Sequence, residues 1–144
     1  MTLPADPGSF ERPVVLVADD EPMLRRIVAL TLRREGFDVL EAGDGSEGLM
    51  LLETGRPIDL LLTDVKMPGL NGYQLAEASL SLRPGMPVML MTGFADEDVP
   101  EVVSRASIPT IRKPFDFARL GATIRETIGR RQGGNPIDPV PLPG

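Results

Sequence analysis

Five polar residues stand where extended stretches of this chain give out. Asp19 and Asp20 follow Val14-Val15-Leu16-Val17-Ala18, Asp64 follows Leu60-Leu61-Leu62-Thr63, Thr92 follows Val88-Met89-Leu90-Met91, and Lys113 follows the stretch 108–112. Carboxylates brought together repel one another, and the ordinary relief is a hard divalent cation with oxygen ligands. Mg²⁺ suits an open site of that kind, because it keeps several waters and is held by few carboxylates together with phosphate oxygens. With that cation at one side, the Lys113 ammonium at another and the Thr92 hydroxyl as donor, the set is arranged for a phosphoryl group. Asp64 is the central acid, beside a loop forced by Pro68 and Gly69, and is the natural nucleophile, giving an aspartyl phosphate.

That chemistry requires the five residues to be neighbours in space. The run 14–18 suits a strand buried on both faces. Pro22 then stands at a first helical position, Met23, Leu24, Ile27, Val28, Leu30 and Thr31 recur at helical spacing, and Gly36 closes the helix. Further strands are expected at 37–42, 58–63, 88–92 and 108–112, and further helices at about 46–53, 71–82 and 116–128. The last helix carries Phe117, Leu120, Ile124 and Ile128 on one face. A short or mobile helix is expected within 93–107, opened by Asp96-Glu97-Asp98, with Val99, Val102 and Val103 inward and Pro100 restricting its first turn.

Strands alternating with helices imply an α/β fold, a doubly wound five-stranded parallel sheet with helices on both faces. In the order 2-1-3-4-5, the first and third strands meet at the switch point, and all five polar residues converge at the C-terminal edge. Residues 1–12 read as a flexible lead-in, 13–129 as the domain and 130–144 as a Gly/Pro-rich flexible tail.

Composition narrows the function classes. At 144 residues, 42% apolar and 25% charged, the chain suits one ordinary globular domain. A net charge of −6 and a pI near 4.7 argue against a broad basic surface, so direct nucleic-acid contact is not expected. Arg25-Arg26, Arg33-Arg34 and Arg130-Arg131 read as solvated helix faces. Without Cys there is no disulfide framework, and without His the usual zinc sites, His general bases and a phosphohistidine on this chain are excluded. No apolar stretch approaches the roughly 20 residues that span a bilayer, and 1–12 lacks a signal-peptide pattern. A cytoplasmic protein without membrane insertion is expected.

The sequence resembles the receiver domain of two-component response regulators over about residues 13–129. The resemblance rests on Val17-Ala18-Asp19-Asp20-Glu21-Pro22, Leu62-Thr63-Asp64-Val65-Lys66-Met67-Pro68-Gly69-Leu70-Asn71-Gly72, Met91-Thr92-Gly93 and Arg112-Lys113-Pro114-Phe115, in that order. It implies that Asp64 takes a phosphoryl group from a histidine of a partner histidine kinase or histidine phosphotransferase. It also implies that Asp20, Asp64 and the Lys66 backbone carbonyl ligate Mg²⁺, with Asp19 nearby or acting through water. By the same resemblance Thr92 contacts the phosphoryl oxygens, Lys113 pairs with the phosphorylated side chain, and a face made by the fourth helix, fifth strand and fifth helix meets a downstream protein. The family usually carries an aromatic residue three positions before the lysine, a switch position that is Thr110 here. The resemblance fits a stand-alone receiver or the receiver of a hybrid kinase.

Other readings compete. Phosphatases of the haloacid dehalogenase type share an Asp nucleophile, Mg²⁺, Thr and Lys, but resemble a layout with the nucleophile on the first strand and an acid two residues later, where this chain has Lys66 after Asp64. A receiver-like fold that signals by binding, without phosphorylation, is a further alternative. Gly43-Asp44-Gly45-Ser46-Glu47-Gly48 fits a dinucleotide fingerprint, yet its acids would repel a pyrophosphate, so it reads as a turn and helix cap. Met86, Met89 and Met91 read as core.

Overall fold

Leu60, Leu61 and Leu62 have no exposed surface at all, which places their strand at the centre of a sheet covered on both faces. The computed structural model describes residues 12–93 and 99–133. In chain order the elements are β1 (Val14–Ala18), α1 (Pro22–Arg34), β2 (Asp38–Ala42), α2 (Gly45–Glu53), β3 (Leu60–Asp64), α3 (Gly72–Leu82), β4 (Val88–Thr92), α4 (Glu101–Arg105), β5 (Thr110–Arg112) and α5 (Phe117–Gly133). The strands form one parallel five-stranded sheet in the order β2-β1-β3-β4-β5, as expected.

Right-handed crossovers decide which face each helix covers. The chain steps one way from β1 to β2 and the other way from β2 through β3 and β4 to β5, so the connecting helices fall on opposite faces. On one face Val15, Val17, Leu60, Leu62, Met89 and Met91 pack against Val28 and Leu32 of α1 and Leu120, Ile124 and Ile128 of α5. On the other, Leu16, Ala18, Leu61, Val88 and Leu90 pack against Leu52 of α2, Leu75 and Ala76 of α3 and Val103 of α4. Each buried Leu, Ile or Val contributes roughly 1.5–3 kcal/mol.

Local chemistry starts the helices. Asn71 and Gln74 form a reciprocal capping box at the start of α3, with bonds of 2.8 and 2.9 Å. Asp44 accepts from Glu47 N–H at 2.8 Å, so the stretch 43–48 is the turn and cap expected.

The structure departs from expectation in several places. Within α1 the buried positions are Val28, Ala29 and Leu32, while Met23, Ile27 and Leu30 are exposed, because the helix meets the sheet along a narrow stripe. Arg25 is not on a solvated face: it folds back onto Glu41 of β2 at 3.2 Å. In α4 only Val103 is buried, and Val99 and Val102 are each 39% exposed; Asp96-Glu97-Asp98 lie outside the described residues. β5 starts at Thr110 rather than at 108, since Pro109 has no N–H to give a ladder. The last helix runs past 128 to Gly133, helped by a Glu126–Arg130 pair one turn apart at 3.6 Å. No helix among the described residues is long and apolar enough to cross a membrane.

Candidate functional site

The crevice between β1 and β3 opens where α1 and α3 leave the sheet toward opposite faces. Ala18 pairs with Thr63 in register, so the next residues, Asp19 and Asp64, stand side by side at the C-terminal edge. Asp64 is the last residue of β3 and is 7% exposed; Asp19 has no exposed surface; Asp20 points to solvent. One carboxylate oxygen from each of the three lies within 4.8 Å of the others.

Lys113, immediately after β5, reaches back across the tip of β4. Its Nζ lies 3.2 Å from Asp64 Oδ1 and 3.8 Å from Asp19 Oδ2. The Lys113 main chain is tied there by its N–H, which donates to the Thr92 carbonyl at 2.8 Å, and the Lys113–Pro114 peptide is cis. Thr92 closes β4 and is 2% exposed. Lys66 follows β3 by two positions, with an exposed side chain. All six residues that the sequence singled out for phosphoryl chemistry and cation binding thus lie at or next to one sheet edge. The nucleophile candidate is on the third strand, unlike the first-strand layout of the dehalogenase-type phosphatases.

The electrostatics of this edge favour a cation. At 4.8 Å each pair of carboxylates repels by about 3 kcal/mol at an effective dielectric near 20. Burial, first of all, pushes the Asp19 carboxyl up to about 6, against the Glu21 N–H and the Lys113 ammonium, which hold it down. Burial likewise raises the Asp64 carboxyl, opposed by Lys113 and by the Val65 N–H that donates to Oδ1 at 3.0 Å. One ammonium beside three acids leaves an excess of two negative charges. Asp19 Oδ1 accepts from Glu21 N–H at 3.0 Å, whereas the buried Oδ2 accepts no hydrogen bond among the described residues. A set of hard oxygens with that charge excess and an orphaned buried acceptor fits a divalent cation such as Mg²⁺.

Thr110 is exposed on β5 and, with Tyr73, Leu90 and Val103, lines a cavity of about 200 Å³ between β4 and α4. Two residues that contact the main chain of the acids were not among the site residues expected from the sequence: Gly72, quoted only within a motif, and Arg25, expected on a solvated face. The main chain of Gly72 abuts the Asp64 carbonyl, and Arg25 Nη1 donates to the Asp19 carbonyl at 2.8 Å. A glycine eight residues after Asp64 is a visible signal, but the arginine's partner on β2 is not.

A family model described as the response regulator receiver domain matches residues 15–125. Among curated relatives, the probable transcriptional regulatory protein TcrX of Mycobacterium tuberculosis is 34% identical over 125 residues, covering 86% of this chain and 53% of that protein. The transcriptional activator protein PfeR of Pseudomonas aeruginosa is 40% identical over 136 residues, covering 93% of this chain and 42% of that protein. The chain thus spans about half the length of the curated relatives it matches. A CheY-like response regulator receiver domain protein from Methanospirillum hungatei has a solved structure with a TM-score of 0.79 at 28% identity, covering 87% of this chain and 100% of that one.

Proposed function

The chain belongs to the response regulator receiver domain family of two-component signal transduction, and from that premise we propose that Asp64 is its phosphoacceptor. The observation that carries this reading is Asp64 at the tip of β3, with Asp19 and Asp20 oxygens within 4.8 Å and Lys113 Nζ at 3.2 Å. In the reaction a carboxylate oxygen of Asp64 forms a bond to phosphorus as the phosphorus–nitrogen bond of a donor phosphohistidine breaks, and the imidazole leaves. The donor is a histidine kinase or histidine phosphotransferase, since this chain has no His of its own.

Each residue has a part in that transfer. Both protein contacts described for the Asp64 carboxylate, from Val65 and Lys113, fall on Oδ1, which fixes the group against rotation. Lys113 offers its ammonium to the charge that gathers on the phosphoryl oxygens, and the Thr92 hydroxyl donates to one of them. Asp19, Asp20, Asp64 and the Lys66 carbonyl would hold Mg²⁺, which when bound supplies the neutralising charge that lets an anionic donor approach three acids. The domain catalyses only its own phosphorylation and dephosphorylation.

Phosphorylation then biases the surface of α4, β5 and α5 toward a downstream protein. Thr110 cannot swing a ring between buried and exposed states, so the aromatic coupling usual in the family is not open to this chain. The names of TcrX and PfeR speak of transcriptional control, while the acidic balance of this chain, −6, supports protein contact rather than direct nucleic-acid contact by the receiver itself. A cytoplasmic location belongs to the same reading.

The test is intact mass after incubation with Mg²⁺ and a small-molecule phosphodonor, beside Asp64→Asn. A single phosphoryl adduct is expected on the parent, absent from the variant and absent without Mg²⁺. An adduct that persists in Asp64→Asn would move the acceptor elsewhere. No adduct with either a small donor or a phosphorylated histidine phosphotransferase would favour signalling by binding alone.

A further inference from the structure

The β1–β2 ladder ends at Ala18 and Ala42, and Asp19 takes one more rung, its N–H donating to the Ala42 carbonyl at 3.1 Å. Beyond Ala42 the chain turns into α2, where the Gly43 N–H is taken by Glu47 Oε1 at 2.6 Å. The Asp19 carbonyl therefore lies past the end of the ladder. The donor that meets it is a side chain, Arg25 Nη1, at 2.8 Å.

The same guanidinium donates through Nε to Glu41 Oε1 at 3.2 Å. Glu41 alternates with Ala42 along β2 and so lies on the α1 side of the sheet, beside Val39. Arg26 and Arg33 also reach Glu41, at 3.2 and 3.5 Å, but their side chains are 63% and 40% exposed, against 21% for Arg25. Among the described contacts, Arg25 alone joins Glu41 to the main chain at the acid pair.

We propose that Arg25 is a positioning residue for the cation site: braced on Glu41, it fixes the peptide between Asp19 and Asp20 and so sets the aim of both carboxylates. The peptide is planar, so a bond to the Asp19 carbonyl orients the Asp20 N–H and the departure of Cα at residue 20 as well. Arg25 reaches its two acceptors from separate nitrogens, Nε and Nη1, of one rigid plane, a fixed spacing that the single nitrogen of a lysine on its flexible stem does not reproduce. The inference rests on the reading of Asp19, Asp20 and Asp64 as an Mg²⁺ site. It adds that a salt bridge on the edge strand tunes that site from outside.

Charge and positioning predict opposite signs. Taking a positive charge away from beside three carboxylates should tighten Mg²⁺ binding if charge is all that Arg25 contributes. If Arg25 positions the acids, its loss should weaken binding, by about tenfold as for other partners that orient metal ligands.

The experiment is calorimetric titration of Mg²⁺ into the parent, Arg25→Ala, Arg25→Lys, Glu41→Gln and the Arg25→Ala, Glu41→Gln double variant, each checked for folding by cation-free thermal melts. The expected result is about tenfold weaker binding in Arg25→Ala, little recovery in Arg25→Lys, and a smaller loss in Glu41→Gln that vanishes in the Arg25→Ala background. Should Arg25→Ala fail to fold, Arg25→Lys carries the comparison. Unchanged or tighter binding in the folded Arg25 variants overturns the positioning role and leaves the phosphoacceptor reading intact. A parent that binds no Mg²⁺ overturns the cation site itself, and the inference with it.

Discussion

Gly72 packs its main chain against the peptide of Asp64: a Cβ at position 72 would overlap the Asp64 carbonyl oxygen and stand 2.8 Å from Val65 Cα. The Gly72 N–H also donates to the Val65 carbonyl at 2.8 Å, which ties the first residue of α3 to the end of β3. Because the atoms met are backbone, neither side can yield by turning a side chain. Gly72→Ala is expected to cost about 2 kcal/mol or more in urea unfolding and to lower the yield of phosphoryl adduct. Parent-like stability and yield would show that the two strands of backbone part easily.

Stability should follow the Asp19 carboxyl. Burial pushes that group up to about 6 from an ordinary value of 3.8. A carboxyl whose pKa is higher in the folded chain binds more protons there than when unfolded, so its contribution to stability falls as pH rises from about 4 to about 6 and stays low above that. The loss is on the order of 2–3 kcal/mol without a cation. Melting temperatures taken from pH 4 to 7.5 should show this fall in the parent, with Mg²⁺ restoring stability chiefly above pH 6. Asp19→Asn keeps an acceptor for the Glu21 N–H without the buried charge. It should be more stable than the parent at pH 7 without Mg²⁺ and less responsive to the cation; equal pH profiles would contradict the account.

Lys113→Met separates two effects of one charge. Without the ammonium 3.2 Å from Asp64 Oδ1, the three acids face one another unrelieved. Cation-free stability at pH 7 should drop by about 1–2 kcal/mol, less than for a fully buried pair because the lysine side chain is 22% exposed, and should recover toward pH 5 as the acids take up protons. Mg²⁺ should bind more tightly, while the phosphoryl adduct falls. Calorimetry and intact mass on the same preparation decide this, and a variant that loses both together would mean that Lys113 holds the fold of the site rather than its charge.

Arg83 closes the far end of the molecule. Its guanidinium donates to the carbonyls of Leu52, Thr54 and Arg56 at 3.1, 2.8 and 2.7 Å, which satisfies the end of α2 from the end of α3. Arg83→Ala should destabilise by about 1–3 kcal/mol and speed amide exchange in the last turn of α2, with Mg²⁺ affinity unaffected. A change in Mg²⁺ affinity would show coupling between the two ends of the sheet.

Asp64, Asp19, Asp20, Thr92 and Lys113 were legible in the sequence because each ends or follows a strand whose apolar run is local, and local runs need no knowledge of distant partners. The βα alternation implied a parallel sheet but allows more than one doubly wound order; 2-1-3-4-5 was the order that brings the five residues together, and the strand pairing has it. Boundaries were less legible where a ladder stops for lack of a donor, as before Thr110 at Pro109, or where a helix continues through a glycine, as α5 does at Gly129. Which apolar residues of α1 face inward was not in the spacing alone, for Ile27 and Val28 both fit a helical period and only Val28 meets the sheet.

The types of the chemical residues, and the edge they share, were thus determined by sequence; their ionisation and their bracing were decided by the tertiary structure. Asp19 and Asp20 are identical neighbours in the chain, yet Asp19 is buried and Asp20 exposed, because the turn into α1 sends them to different surroundings. Arg25 belongs to an arginine pair that reads as solvated helix surface, and its role follows from Glu41 on β2, 16 positions away in sequence. Desolvation and long-range pairing depend on what the fold brings near, which no local pattern records.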